Sequence, residues 1–99
     1  MDTSEKVEVW YQENYDVLKG DFGSYFHKSF DDEKEAVQYI QSCLEAELQK
    51  LKETDKNLSD EELLHRYKMF GTDYFLKNAK KGFSSWKYME ERLQRKNEY

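Results

Sequence analysis

Five apolar residues between positions 37 and 51 recur at intervals of three and four, and they constrain the fold more than any other feature. They are Val37, Ile40, Leu44, Leu48 and Leu51. Because an α-helix turns once every 3.6 residues, this spacing places all five on one stripe. Asp31 and Asp32 precede the stripe and suit a helix N-terminus, where carboxylates cap exposed N–H groups. The sequence therefore predicts a long amphipathic helix, followed by a polar linker over residues 52–57.

Two segments before this helix alternate between apolar and polar residues, which is the period of a β-strand. The first, residues 6–12, places three apolar residues on one face: Val7, Val9 and Tyr11. Trp10 lies on its other, less apolar face, which indicates that this face is not fully solvated. In the second, residues 24–30, Phe26 and Phe30 share a face. We expect the two segments to pair as an antiparallel hairpin with an irregular connection.

Two shorter helices are predicted towards the C-terminus. Ser59 is followed three residues later by Glu62, a capping-box pattern that opens a helix, and Gly71 is a natural terminator for it. The last helix begins at Ser84 or Ser85, after a basic loop. Both helices are expected to pack beside the long one.

Together these segments predict one small α+β domain over residues 1–99, with residues 1–5 and 97–99 frayed. An N-terminal antiparallel β-hairpin or small sheet is covered by the long helix, and the two shorter helices follow, in the order ββααα. A two-stranded sheet is marginally stable alone. We therefore expect either a third strand in residues 15–19 or pairing of a sheet edge with a second copy. A homodimer is expected to form through the sheet edge or through residues 67–88. Residues 72–76 fit either an extended segment or a short helical turn.

Aromatic residues are concentrated in residues 67–88, which hold seven of the chain's 16 rings. Rings suit a small core, because each buried aromatic removes roughly 150–250 Å² from water. Helical spacing favours burial of three of them: Phe70, Phe83 and Trp86. Tyr74 and Phe75 are adjacent, so in an extended segment they would point to opposite faces and only one would be buried.

Residues able to carry out catalysis are few. His27 and His65 have no metal-type spacing to another histidine or cysteine. Cys43 lies near the apolar stripe, where a cysteine usually behaves as a small, unreactive hydrophobe. The carboxylate clusters fall at predicted helix starts, where capping explains them. The sequence therefore predicts no catalytic residue, no metal and no cofactor, and we interpret the protein as a non-enzyme.

The sequence pattern also predicts neither a secretory signal nor a membrane-spanning segment. The N-terminal residues have no apolar core of a secretory signal, and no stretch approaches the roughly 20 apolar residues that span a bilayer. We therefore expect a cytoplasmic protein with no membrane contact.

The charge of the chain is −5, but it is unevenly distributed. Residues 1–70 carry 9 Lys and Arg against 17 Asp and Glu, whereas residues 71–99 carry 7 against 4. An acidic protein is a poor candidate for a dedicated nucleic-acid binder, since phosphate contact needs a basic face. A protein partner is the better expectation.

These observations favour a small acidic protein-binding module, such as an inhibitor, immunity-type or adaptor protein of a bacterium or phage. Its candidate binding residues lie in the link between the last two helices: Tyr74, Phe75, Lys77, Lys80 and Lys81. The alternative is a nucleic-acid-binding accessory protein that uses residues 71–96 as a basic aromatic face, with bases stacked on rings and phosphates on lysines.

Overall fold

The computed structural model describes residues 6–21, 23–54 and 56–94. They form, in chain order, β1 (Val7–Glu13), α1 (Asn14–Leu18), β2 (Tyr25–Phe30), α2 (Glu33–Thr54), α3 (Asp60–Phe70), β3 (Thr72–Lys77) and α4 (Ser85–Gln94). The predicted α+β class is confirmed, with a small antiparallel sheet, one long helix and shorter helices. The expected fraying of residues 1–5 and 97–99 lies outside the described residues.

The sheet has three strands in the order β2-β1-β3, and both neighbours of β1 are antiparallel to it. The prediction of a third strand in residues 15–19 is wrong, because residues 14–18 form α1 and the third strand is residues 72–77. Asn14 explains the change of direction. Its backbone N–H donates to Gly71 O (3.0 Å) and its side chain donates to Tyr67 O (2.9 Å), so the chain leaves the sheet at this residue.

An irregularity in β2 changes which residues share a face. The register with β1 shifts between Val9, which pairs with Lys28, and Trp10, which pairs with Phe26. His27 is therefore an extra residue, as in a β-bulge, and the alternation breaks there. As a result Phe30 packs against the core, whereas Phe26 is 52% exposed. The expectation that these two phenylalanines share a face is wrong for this reason.

The hydrophobic core lies between one face of the sheet and the helices. The predicted stripe of α2 is buried at its centre, where Ile40, Leu44 and Leu48 are at most 2% exposed. Val37 and Leu51, at its ends, are half-buried. The helix continues to Thr54, into the segment that the sequence predicts as a linker. The other core residues are Val7, Val9, Ala36, Leu63, Leu64, Tyr67, Met89 and Leu93.

The predicted helix caps are confirmed. Ser59 accepts a hydrogen bond from Glu62 N (3.2 Å), and Glu62 Oε1 accepts one from Ser59 N (2.9 Å), which completes the capping box of α3. Ser84 caps α4 by accepting a hydrogen bond from Lys87 N (3.1 Å). These caps satisfy N–H groups that have no partner within the helix, so local sequence alone specifies where both helices begin.

Two of the three rings expected in the core lie at the surface. Phe70 is 56% exposed and stacks on Tyr15 of α1, with the ring centroids 5.6 Å apart. Trp86 is 39% exposed, and its indole N–H donates to Asn14 Oδ1 (3.2 Å). Only Phe83 packs partly against the core. The prediction failed for Phe70 and Trp86 because aromatic neighbours and a polar partner hold them at the surface.

The two edges of the sheet differ. At the outer edge of β3, Thr72 N donates to Glu47 Oε2 (3.0 Å), and Ser85 Oγ both accepts from Tyr74 N (3.0 Å) and donates to Tyr74 O (2.8 Å). These side chains close that edge against a further strand. Within the described residues, no hydrogen bond reaches the outer edge of β2. Pairing of an edge with a second copy stays a prediction, and β2 is the strand at which it would occur.

Gly71 ends α3 for a different reason from the one its sequence suggests. Its backbone is extended (φ −82°, ψ −179°) rather than left-handed, so conformational freedom does not require glycine. Glycine is required by the lack of space, because a Cβ built here would lie 2.7 Å from both Tyr67 Cε1 and Tyr67 O. The buried Tyr67 ring therefore lies directly against the glycine backbone at the start of β3.

We expect Gly71→Ala to lower the free energy of unfolding by about 2–4 kcal/mol, because the new methyl group must displace a buried ring or break the link to β3. Urea denaturation measures it. The control is Gly23→Ala, where the nearest atom to the added Cβ is 3.4 Å away and the change should be within about 0.5 kcal/mol. Equal effects at the two glycines would contradict this account.

Candidate contact surface

The face of the sheet that points away from α2 has no core residue on it. We call it the open face, and it carries Glu8, Trp10, Gln12, Phe26, Ser29, Asp73, Phe75 and Lys77. α2 lies on the opposite face, since Tyr39 contacts Phe30 (5.3 Å between centroids) and His27 (5.6 Å). The open face is therefore not covered by α2, and its side chains range from half-buried, as at Trp10 and Phe75, to exposed, as at Phe26.

Three aromatic residues form a row across the open face, one on each strand. Trp10 of β1 pairs with Phe26 of β2 and with Phe75 of β3. The Trp10 and Phe26 rings meet edge to face at 5.9 Å. Lys77 Nζ lies 3.7 Å from the centroid of Trp10, in cation–π geometry, and Glu8 Oε1 accepts the indole N–H (2.9 Å). The indole is thus held in place from both sides.

The open face carries charges of both signs beside this row. Glu8 pairs with Lys77 across the strands, and Asp73 accepts a hydrogen bond from Gln12 Nε2 (3.1 Å) at the other end. Burial raises the pKa of Asp73, although the bond from Gln12 partly offsets the effect. Two carboxyl groups therefore flank the rings against one ammonium group.

The five predicted binding residues do not lie together in the structure. Phe75 and Lys77 lie on the open face, whereas Tyr74, as the alternation requires, turns inward and packs against the core. Lys80 and Lys81 lie in the loop after β3, and their side chains are exposed. Whether any of them contacts a partner stays a prediction, but the five do not form one patch.

Glu33 holds the loop that contains Lys80 and Lys81. Its carboxylate accepts hydrogen bonds from the backbone N–H groups of Lys80 (2.9 Å), Lys81 (3.1 Å) and Gly82 (3.1 Å). These bonds lower the pKa of Glu33, the one from Lys80 most of all. The basic loop is therefore fixed by its backbone to the start of α2, and its lysine side chains project from a fixed base.

On the opposite face of the sheet, beside α2, an open pocket of about 260 Å³ is lined by Tyr11, Glu13, His27, Thr72 and Tyr74. Every strand contributes to it. Thr72 Oγ1 donates to Glu13 Oε1 (3.1 Å), and Thr72 N donates to Glu47 Oε2 (3.0 Å), so two carboxyl groups meet at one threonine. We call this cavity the tyrosine pocket.

A polar network lies beside the tyrosine pocket. His27 Nε2 and the Tyr39 hydroxyl are 2.7 Å apart. Cys43, half-buried and unlike the apolar core residue that the sequence suggests, lies beside the hydroxyls of Tyr39 and Tyr74. Burial raises the pKa of both tyrosines, with contributions from the thiol.

Glu47 has the most perturbed carboxyl group in this region. Burial raises its pKa from 4.5 to about 7, the bond from Thr72 N lowers it, and the negative charge of Glu13 raises it further. Lys50 acts in the opposite direction. Glu47 therefore changes charge near neutral pH, and its titration reports on the environment of the tyrosine pocket.

Sequence reasoning missed two of the three rings in the row. The signal at Trp10 was present, since a tryptophan on the polar face of an alternating strand indicates incomplete solvation. Phe26 gave no such signal, because the bulge at His27 reverses its face. The tyrosine pocket also has no linear signature, as its residues come from three strands far apart in sequence.

No described helix is both long and apolar enough to cross a membrane, and no group of three or more His, Cys, Asp or Glu side chains among the described residues could hold a metal ion. No family model matches the chain, and no curated protein or solved structure is significantly similar to it. Function must therefore be argued from the surfaces themselves.

The raised pKa of Glu47 predicts how stability depends on pH. Because the folded protein holds this proton more tightly than the unfolded chain, the free energy of unfolding should fall as pH rises from 4.5 to about 7. The total contribution is roughly 3 kcal/mol, at 1.36 kcal/mol per pKa unit. Glu47→Gln keeps an acceptor for Thr72 N and should remove this part of the slope, measured by urea denaturation at several pH values.

The control for this measurement is Glu53→Gln, an exposed glutamate on the same helix. It should leave the slope of the parent protein in place. Asp73, whose pKa is also raised, contributes in the same direction in every variant, so only the difference between proteins reports on Glu47. An unchanged slope in Glu47→Gln would show that Glu47 titrates normally.

Proposed function

We propose that the protein is a non-enzymatic binding module whose contact surface for a protein partner is the open face of the sheet. The observation that supports the proposal is the row of Phe26, Trp10 and Phe75. The row lies on a face of the sheet that has no residue of the hydrophobic core. Aromatic side chains dominate the energetics of protein interfaces, because they bury much area at a small entropic cost. Phe26 is 52% exposed and Trp10 and Phe75 are half-buried, so a partner that covers the row would bury the apolar area that remains accessible.

The charges predict the kind of partner. The centre of the open face is apolar, two carboxyl groups and one ammonium group surround it, and the chain as a whole carries −5. A complementary partner has an apolar patch with a basic rim, and the opposite charges accelerate its association. An inhibitor, immunity-type or adaptor role, in the cytoplasm of a bacterium or phage host, fits this description.

The nucleic-acid alternative has less support. Rings on an open sheet resemble a stacking platform, but Glu8 and Asp73 beside them would repel phosphates. The described lysines of this segment lie in different regions, with Lys77 on the open face and Lys81 in the loop tied to Glu33. We therefore propose a protein partner and treat oligonucleotide binding as an outcome of the test.

The test compares phenylalanines on different surfaces, of which Phe26 and Phe70 have similar exposure and Phe75 is half-buried. Phe26→Ala and Phe75→Ala alter the open face, and Phe70→Ala removes a ring that is 56% exposed on α3. A photo-crosslinking side chain at position 26 identifies the partner in the native host, and calorimetry with the purified partner gives the dissociation constant. We expect at least a tenfold loss for each open-face variant, about 1.4 kcal/mol or more, and less than a twofold change for Phe70→Ala.

Stability measurements separate loss of contact from loss of fold. Phe26→Ala should leave the thermal midpoint close to that of the parent protein, because the side chain is 52% exposed. Equal weakening by Phe26→Ala and Phe70→Ala would refute a contact surface on the open face. Binding of a single-stranded oligonucleotide at low salt that disappears in Phe26→Ala would replace the protein partner with a nucleic acid.

A further inference from the structure

The tyrosine pocket combines aromatic rings with carboxylates in a way that the open face does not. The centroids of Tyr11, His27 and Tyr74 form a triangle with sides of 5.9, 6.2 and 6.3 Å. Glu13 lines the same cavity. The pocket therefore has aromatic walls and one carboxylate among its lining residues. This combination suits a positively charged group that also has apolar surface.

The size of the triangle is compatible with cation–π attraction. A positive group seated over the three rings lies within about 6 Å of every centroid, the range over which the ring quadrupole attracts a cation. The neighbouring Tyr39 ring already carries such a contact, since Lys28 Nζ lies 5.0 Å from its centroid. Aromatic side chains on this face of the sheet therefore already contact an ammonium group of the chain itself.

The carboxyl groups of Glu13 and Glu47 are held in place, but they can accept more hydrogen bonds than they do. Thr72 donates to one oxygen of Glu13 and one oxygen of Glu47, and no other described donor reaches either carboxyl group. The charge of Glu13 also raises the pKa of Glu47, so the two groups repel each other across Thr72. A cation beside Glu13 would relieve this repulsion and would compete with no internal ion pair of Glu13 or Glu47 among the described residues.

We propose that the tyrosine pocket binds an organic cation, an ammonium or guanidinium group of the kind that a lysine or arginine side chain carries. Tyr11, His27 and Tyr74 supply the aromatic walls and Glu13 supplies the counter-charge. The site lies on the opposite side of the sheet from the open face. It therefore does not rest on the proposed function, and either one can fail without the other.

The bulge explains why the site exists. The extra residue in β2 turns His27 to the same side as Lys28, towards α2, instead of placing it on the open face. His27 is then fixed by its contact with the Tyr39 hydroxyl, 2.7 Å away. The third wall of the pocket thus depends on a local irregularity of the strand.

The experiment is an NMR titration of the isotopically labelled protein with four capped amino acids: lysine, trimethyllysine, arginine and, as the neutral isostere, norleucine. A pH of 8 lies above the raised pKa of Glu47, about 7, and keeps that carboxyl group ionised. We expect the three cations to shift the amide signals of His27, Thr72 and Tyr74 with dissociation constants on the order of 1 mM, and norleucine to shift them little. n-Butylammonium tests whether a free amine suffices, and its binding would also support the site.

Two glutamates of the same strand provide the matched variants. Glu13→Gln removes the charge in the pocket while keeping an acceptor for Thr72, and Glu8→Gln makes the same change on the open face. We expect cation binding to weaken at least fivefold in Glu13→Gln and to change less than twofold in Glu8→Gln. Equal weakening would show attraction to the overall acidity of the chain and would overturn the proposal.

Two further outcomes would also overturn it. The first is norleucine binding as well as lysine does, and the second is amide shifts that avoid the pocket. The open-face variant Phe26→Ala should retain cation binding, which separates this site from the proposed partner surface.

Discussion

The buried side chain of Asn14 holds together the junction on which the rest of the structure depends. Asn14 is 3% exposed, donates to Tyr67 O, and accepts from the Trp86 indole, while its backbone N–H donates to Gly71 O. These bonds join the end of β1, the end of α3 and the start of α4. Buried polar groups that lose their partners cost about 1–3 kcal/mol each, so the three elements are fixed together. β3 can begin directly after Gly71 because this junction positions it beside β1.

The sheet that results has two faces with different chemistry. One face supports the core and, beside α2, the tyrosine pocket, and the other presents a row of three rings. β-bulges often re-aim side chains at functional places, and here the extra residue at His27 does so for both faces. It leaves Phe26 on the open face and turns His27 into the pocket. A single irregularity thus contributes to both proposed binding surfaces.

Aromatic residues serve three purposes in this chain, and their positions in the sequence do not separate them. Tyr67 is buried and occupies the space left by the missing side chain of Gly71. Phe70 and Trp86 stay at the surface, supported by Tyr15 and Asn14. Trp10, Phe26 and Phe75 form the open row. The partition follows from contacts between distant segments, which explains why helical spacing misassigned Phe70 and Trp86.

Local sequence determined the α+β class, the apolar stripe of α2 and the caps at Ser59 and Ser84, because periodicity and capping act over a few residues. It also predicted that Tyr74 and Phe75 would point to opposite faces if the segment were extended. Only the tertiary structure decided that residues 72–77 form the third strand, since strand pairing depends on Asn14 and β1, which are distant in sequence. The tyrosine pocket was likewise decided there, because a site made from three strands and a bulge exists only once distant residues meet.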